Sequence, residues 1–234
     1  MRVDIDNPNP AFIAIMEDCD QKVFLDANFF IPPDRSNLGI KPYRFEHFRD
    51  VWLDPLLSEF SRLSIHEAVY DELVEELVKK YVDDQVGSDP ARICIHSDSE
   101  LTEVEIALRN HFMAKIAVHS QYDPNMDNAK DRGEVRSLSF MAARKYLYFA
   151  ANDSLPIRLI KDADKLDSGL KDMGIIQMYE LIYYLYLTGK YDNKSLRILY
   201  KYEYYLTARE KNSNPGWEEF ISGMNSLYGK KGKG

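Results

Sequence analysis

The chain has 234 residues, of which 45% are hydrophobic, enough for one folded core with an appendage. Its 30 lysines and arginines against 38 aspartates and glutamates give a formal net charge of -8, so nucleic-acid binding would depend on local basic patches or bound metal. Two cysteines without CxxC spacing disfavour disulfide and structural zinc frameworks, and no stretch approaches the ~18 apolar residues of a membrane span. We therefore expect a cytoplasmic protein with no membrane partner.

The first informative segment is Lys22 to Ile31, which predicts a buried strand that ends at an acid. The apolar run Val-Phe-Leu leads directly into Asp26, and Asn28 follows two residues later. An acid in this place is typical of a site at the carboxyl end of a parallel sheet. Residues 31–39 are rich in turn formers and predict a loop. A helix is predicted after this loop, over Arg44–Phe60.

One long helix is predicted from Ser64 to Val82, because apolar residues recur there at steps of three and four. These are Ile65, Val69, Leu73, Leu77 and Val78. Glu72 lies beside this apolar face, where an unpaired carboxylate would be costly, which makes it a candidate site residue. Glu67 instead fits the third helical position of a capping box opened by Ser64.

The next segments repeat the order strand, acid, helix. We predict a strand over residues 91–96, an amphipathic helix over 99–119, a polar loop over 123–130, a helix over 131–145, a strand over 146–151 and a crossover helix over 155–159. This alternation predicts an α/β fold in which three layers are formed by helices on both faces of a mostly parallel sheet.

Three acids of this region are candidates with competing explanations. Asp131 and Glu134 have capping-box spacing, so Asp131 is either a helix cap or a partner of a ligand, while Glu134 either turns back to the cap or enters the site. Asp153 either caps the following helix or joins Asp26 at a shared strand-end site.

The last third is rich in tyrosine: ten of the sixteen lie between Gly174 and Arg209 when Tyr228 is included. We predict two helices joined near residues 189–193, in a helical extension over 166–228 that packs on a domain formed by residues 1–165. Helical spacing of the tyrosines favours packing; stacking platforms for bases are the alternative, and a homodimer interface is a further hypothesis. Residues 229–234 predict a flexible basic tail.

Several carboxylates in one cleft repel each other unless a cation or a proton is shared between them. Mg²⁺ or Mn²⁺ is the natural cation, because hard ions prefer carboxylate and water oxygens, and such a site supports hydrolysis of phosphodiesters. The five histidines show no paired metal spacing, and the chain has no phosphate loop, GxSxG elbow or dinucleotide fingerprint. A haloacid-dehalogenase-type phosphatase would need an aspartate where Asn28 stands.

The order of four short motifs resembles the PIN-domain nucleases, particularly the branch with a Gly-Glu third motif that is related to bacterial toxin-type ribonucleases. The motifs are Leu25-Asp26-Ala27-Asn28, Val69-x-x-Glu72-Leu73, Gly133-Glu134 and Asn152-Asp153, within about residues 22 to 165. The resemblance implies a three-layer fold in which Asp26, Glu72, Glu134 and Asp153 are the catalytic and metal-binding residues for Mg²⁺ or Mn²⁺, supported by Asn28 and Asp131. Two features depart from the family pattern: Ala151, where a serine or threonine is frequent, and the long segment from Phe29 to Leu63.

The implied function is that of a metal-dependent endoribonuclease. It would be the toxin of a toxin-antitoxin pair, with an antitoxin as protein partner, or an RNA-processing enzyme. A PIN-like module that binds RNA or protein without cutting is the alternative, and a structure-specific DNA nuclease is a third, disfavoured by the lack of a long basic clamp. Four arginines near the acids in sequence are candidate phosphate contacts or parts of solvated helix faces: Arg132, Arg136, Arg144 and Arg158.

Overall fold

A computed structural model describes residues 2–229 of the chain. Its first half contains α1 Pro10–Glu17, β1 Val23–Leu25, α2 Phe45–Phe48, α3 Asp54–Glu59, β2 Leu63–His66, α4 Glu67–Glu72, α5 Glu76–Val86, β3 Ile93–His96 and α6 Glu103–Ala117. Its second half contains α7 Arg132–Arg144, β4 Tyr148–Ala150, α8 Ser154–Lys161, α9 Ala163–Leu166, β5 Gly174–Ile176, α10 Met178–Thr188, α11 Asn193–Tyr204, α12 Ala208–Ser213 and α13 Trp217–Tyr228. Among these described residues, no helix combines the length and apolar character needed to cross a membrane.

The strands form one parallel sheet in the order β3-β2-β1-β4-β5. Both faces are covered: Val23 and Leu25 of β1 pack in a core with α1, α3, α5 and α10, whereas Phe24 points to a second core with α6, α7 and α8. The predicted three-layer α/β/α fold is confirmed. From β1 the chain first moves outward to β3 and then returns to place β4 on the other side of β1. Ligands bind where crossovers diverge in this way, at the carboxyl ends of the strands.

The predicted helix from Ser64 to Val82 is wrong. Residues 63–66 form β2, the strand between β1 and β3, and a break at residues 73–75 separates α4 from α5. The strand has only four residues, of which Ser64 and His66 are polar but buried, and Ile65 fits the helical spacing that continues into α4. Leu77, expected on the buried face, is 57% exposed. The capping box assigned to Ser64 and Glu67 is also wrong, because the ring of His66 accepts the Ala68 N–H instead.

The segment between the first two acidic motifs is structured, as expected. After a short turn at Ser36–Leu38, the predicted helix over 44–60 is present as α2 and α3, joined by a π-helical turn at Arg49–Leu53. The indole nitrogen of Trp52 donates to the carbonyl of Phe29 at 2.9 Å, which ties this helix to the residues directly after β1.

The C-terminal helices α10 and α11 meet near residues 189–193, as predicted, and Gly189 ends α10 with a positive φ of 67°. The preceding strand β5 was not predicted; it pairs with β4, so the sheet continues beyond residue 165. Four tyrosines of this region are buried in the core, which confirms packing as their role: Tyr179, Tyr183, Tyr200 and Tyr204. Of the predicted tail, residues 230–234 lie outside the described residues.

Candidate metal centre

Three of the four predicted acids converge at the carboxyl edge of the sheet. Asp26 directly follows β1, Asp153 follows β4, and Glu134 lies in the first turn of α7. One carboxylate oxygen of each lies within 4.8 Å of the others. The three acids and Glu72 line a cleft of about 360 Å³.

Asp26 is the deepest of these acids, with 2% of its surface exposed. Its backbone N–H continues the pairing of β1 with β4 by donating to the carbonyl of Ala150 at 3.0 Å, which fixes the position of the side chain. Burial raises the pKa of Asp26 well above its ordinary value, and the charges of Glu134 and Asp153 raise it further. An ionised Asp26 therefore needs a positive charge near it.

Gly133, the residue before Glu134 in α7, connects Glu72 of α4 to the first turn of α7. Gly133 donates its backbone N–H to Oε1 of Glu72 at 2.8 Å. A Cβ at Gly133 would lie 2.6 Å from Oε2 of Glu72, so the observed position of the Glu72 carboxylate depends on the absence of a side chain here. The contact explains why a glycine precedes Glu134: it lets the Glu72 carboxylate reach the backbone at the start of α7.

The pKa values of both glutamates are raised. Burial raises the pKa of Glu134 from its ordinary 4.5 to about 7, and the charges of Glu72, Asp131 and Asp153 add to this effect. Burial also raises the pKa of Glu72, against the lowering effect of the Gly133 N–H. The cleft thus favours either protons or a cation.

Asn28 and Asp153 are joined across the cleft. The Nδ2 of Asn28 donates to Oδ2 of Asp153 at 3.1 Å. Asp153 occupies the N-cap position of α8 but makes no cap hydrogen bond with its side chain, so the capping explanation is not supported. The Oδ1 of Asn28 is buried and has no hydrogen-bond partner. A buried amide oxygen of this kind fits a cation or its hydration shell, because hard cations take carbonyl oxygens as ligands.

Asp131 plays neither of its expected roles by direct contact. It lies in the left-handed region with a φ of 57° and does not cap α7, so the capping box with Glu134 is wrong. Its Oδ2 instead accepts the backbone N–H of Gln121 at 2.8 Å. Its charge still raises the pKa of Glu72 and of Glu134, which is an indirect influence on the site.

The structure adds an acid that the sequence interpretation missed. Glu203 of α11 lines the same cleft and is 7% exposed. Burial raises its pKa to about 7, and the charges of Glu210 and Asp153 also raise it, although Arg35 lowers it. A signal was present: the buried stripe of α11 is Leu196, Leu199, Tyr200, Glu203 and Tyr204. An acid within such a stripe is costly and therefore informative.

The four arginines expected near the site make contacts within the chain. Arg132 lies within 4.0 Å of Asp71 and 3.9 Å of Asp127, Arg136 lies 2.8 Å from Asp98, Arg144 lies 3.2 Å from Glu105, and Arg158 donates to the carbonyl of His119 at 2.9 Å. None of the four is among the residues that line the cleft in the described part of the chain.

A second group with metal-like spacing consists of His66, Glu67 and Asp98. Two cations already neutralise it, since Arg136 lies 2.8 Å and Arg109 3.4 Å from Oδ2 of Asp98. Burial would raise the pKa of Asp98, but His66 and Arg136 outweigh burial and lower it to about 2. The Nδ1 of His66 accepts the Ala68 N–H, which leaves its proton on Nε2, facing Asp98. The charge of Asp98 is thus balanced by arginines of the fold, whereas no lysine or arginine is among the described residues that line the cleft around Asp26.

No protein-family model, no curated protein and no solved structure matches this chain. The functional interpretation therefore depends on the site geometry and on the motifs in the sequence.

Proposed function

We propose that the protein is a metal-dependent endoribonuclease of the cytoplasm that hydrolyses phosphodiester bonds at the cleft around Asp26. The observation that carries this proposal is the convergence of Asp26, Glu134 and Asp153 within 4.8 Å. The lining of the cleft, as far as residues 2–229 define it, contains acids but no lysine or arginine. A bound cation would supply the positive charge that this group needs when its acids are ionised.

The donor set favours a hard divalent cation. Carboxylates from three separate elements and the unpartnered amide oxygen of Asn28 are oxygen ligands, which suit Mg²⁺ or Mn²⁺ and do not suit a softer ion. When bound, such a cation would lower the pKa of an attacking water and screen the charge that develops on a phosphodiester.

The protein residues have distinct tasks in this proposal. Asp26 is buried at the base of the cleft and held by the sheet, so it would bind the cation most rigidly. Asp153 is exposed at the mouth, where a phosphodiester would approach, and Asn28 holds its carboxylate by the 3.1 Å hydrogen bond. Glu72 is oriented by Gly133 and adds negative charge beside Glu134.

RNA as the substrate is supported by the order of the four motifs, which resembles that of PIN-domain ribonucleases. The test compares RNA and DNA pools of the same sequences, single-stranded and hairpin, with Mn²⁺, with Mg²⁺ and with chelator. We expect metal-dependent internal cuts in RNA. Cutting of DNA alone would support the structure-specific DNA nuclease, and no cutting by a folded protein supplied with metal would support a module that only binds.

A further inference from the structure

The C-terminal helices reach into the cleft through Glu203. This residue lies on the buried stripe of α11 and lines the same cleft as Asp26 and Asp153. The neighbouring Tyr204 donates its hydroxyl hydrogen to Oδ1 of Asn152 at 2.7 Å, directly beside Asp153. This hydrogen bond fixes α11 to the loop after β4, so the position of Glu203 relative to Asp153 is set by the fold.

The carboxylate of Glu203 has no partner that would account for its burial. Within residues 2–229 it makes no hydrogen bond and no ion pair. Arg35 directs its guanidinium to Oε1 of Glu210 at 3.0 Å and to the backbone carbonyl of Glu203 at 2.5 Å. Its charge lowers the pKa of Glu203, but it is shared with Glu210 and does not outweigh burial.

A buried glutamate with a structural role looks different in this protein. Glu180 of α10 is 1% exposed, and its carboxylate accepts the Gln177 N–H at 2.7 Å and the Asn9 amide at 2.9 Å. Donors of the fold satisfy Glu180, whereas Glu203 is 7% exposed and lines the cleft together with other acids. A buried carboxylate without donors is costly, and a cation in the cleft would offset that cost.

We propose that Glu203 is a ligand for a divalent cation that it shares with Asp153, so that the C-terminal helices complete the metal centre. This inference rests on the proposed metal centre and extends it by one residue from outside the segment that carries the four motifs. Glu203 is not one of the three carboxylates that lie within 4.8 Å of one another. It lines the same cleft, and Asp153 is the acid of that group whose charge raises the pKa of Glu203.

The test measures Mn²⁺ binding by the full chain at pH 8, from the spectrum of free Mn²⁺ in electron paramagnetic resonance titrations. The variants are Glu203→Gln, Glu180→Gln as the matched buried control, and Asp26→Asn. We expect Glu203→Gln to lose one bound Mn²⁺ or to bind it at least about 10-fold more weakly, the range seen for residues that support metal sites. Glu180→Gln should bind as the native chain does. Native-like binding by Glu203→Gln would overturn the inference.

Thermal unfolding with and without Mn²⁺ separates a ligand from a purely structural residue. If Glu203 is a ligand, the metal-free Glu203→Gln variant should be at least as stable as the metal-free native chain. Mn²⁺ should then raise the melting temperature of the variant by less than it raises that of the native chain. A lower metal-free stability with an unchanged Mn²⁺ effect would contradict the inference.

Asp26→Asn distinguishes the failure of this inference from the failure of the proposed function. If Asp26→Asn loses Mn²⁺ and Glu203→Gln keeps it, only the role of Glu203 is refuted. If the native chain binds no Mn²⁺, the metal centre is refuted, and with it both proposals.

Discussion

Asn28 and Asp153 are 125 residues apart in the sequence and are joined by a 3.1 Å hydrogen bond across the acidic cleft. The bond connects the turn after β1 to the turn after β4, the two neighbouring strands from which the crossovers diverge. It uses the amide hydrogen of Asn28 and leaves the buried Oδ1 without a partner. One side chain of the cleft lining thus orients an acid and retains a buried oxygen that is available as a ligand.

We predict that Asn28→Ala lowers the affinity for Mn²⁺ by about 10- to 100-fold, the range for residues that orient metal ligands. The overall fold should persist, because the Asn28 bond goes to the exposed Asp153. Calorimetric titration with Mn²⁺ measures the affinity, and circular dichroism checks the fold. An unchanged affinity would show that Asn28 does not serve the centre.

Gly133→Ala should displace Glu72 without unfolding the protein. The new Cβ would lie 2.6 Å from a carboxylate oxygen of Glu72, and the flexible end of that side chain can move away. We expect RNA cleavage to fall by about 10-fold or more, because Glu72 would lose the hydrogen bond that orients it. Gly87→Ala is the matched control: its Cβ would meet the backbone oxygen of Asp83 at 3.3 Å, and Gly87 is not among the described residues that line the cleft. Equal cleavage by both variants would refute this role of Gly133.

Asp26→Asn and Asp98→Asn should change the free energy of unfolding in opposite directions in chelator at pH 8. Asp26 is buried among acids, so loss of its charge should stabilise the metal-free protein by about 1 kcal/mol or more. Asp98 is held by Arg136 and Arg109, so loss of its charge should destabilise the protein by about 1–3 kcal/mol. Urea unfolding of the native chain and the two variants measures both changes in the free energy of unfolding. A loss of stability in Asp26→Asn would mean that the fold neutralises Asp26 without a metal ion.

The stability of the metal-free protein should fall as the pH rises from about 4.5 to about 7. The folded-state pKa of Glu134 is raised to about 7 by burial, so its protonated form stabilises the fold below 4.5, and this contribution is lost as the pH passes through 7. Saturating Mn²⁺ should reverse this trend above pH 7, because the cation binds the deprotonated acids. Urea unfolding across this range, with and without Mn²⁺, measures both effects. In chelator, the stability of Glu134→Gln should fall less with rising pH than that of the native chain. An identical fall would contradict the assignment of this pH dependence to Glu134.

The sequence was sufficient for the strands β1, β3 and β4 and for the acids that follow β1 and β4. Apolar runs that end at Asp26 and Asp153 mark strand ends, and parallel strands bring such ends to one edge. It was insufficient for β2, because this strand has only four residues, two of them polar and buried, and Ile65 matched the helical period of the residues that follow. The short strand β5 gave no pattern of useful length.

The contacts of the site could be predicted only in part. Asp131 fitted a capping box by spacing, but its left-handed backbone turns the carboxylate toward Gln121, which spacing does not reveal. Glu203 was missed because it lies about 50 residues beyond Asp153, and a tyrosine-rich helix was expected to pack without chemistry. Its place in the cleft depends on how α11 docks, a long-range contact that no local pattern encodes.

The central claim is that the acids around Asp26 hold the cation on which cleavage depends. Its most direct test is the single-turnover rate of RNA cleavage against Mn²⁺ concentration, for the native chain, Asp26→Asn and Asp98→Asn under conditions where all three are folded. We predict a loss of about 100-fold or more for Asp26→Asn, on the scale of a single electrostatic contact in a catalytic site, and a native-like Mn²⁺ dependence for Asp98→Asn. Equal rates for the native chain and Asp26→Asn, or cleavage that persists in chelator, would contradict the account.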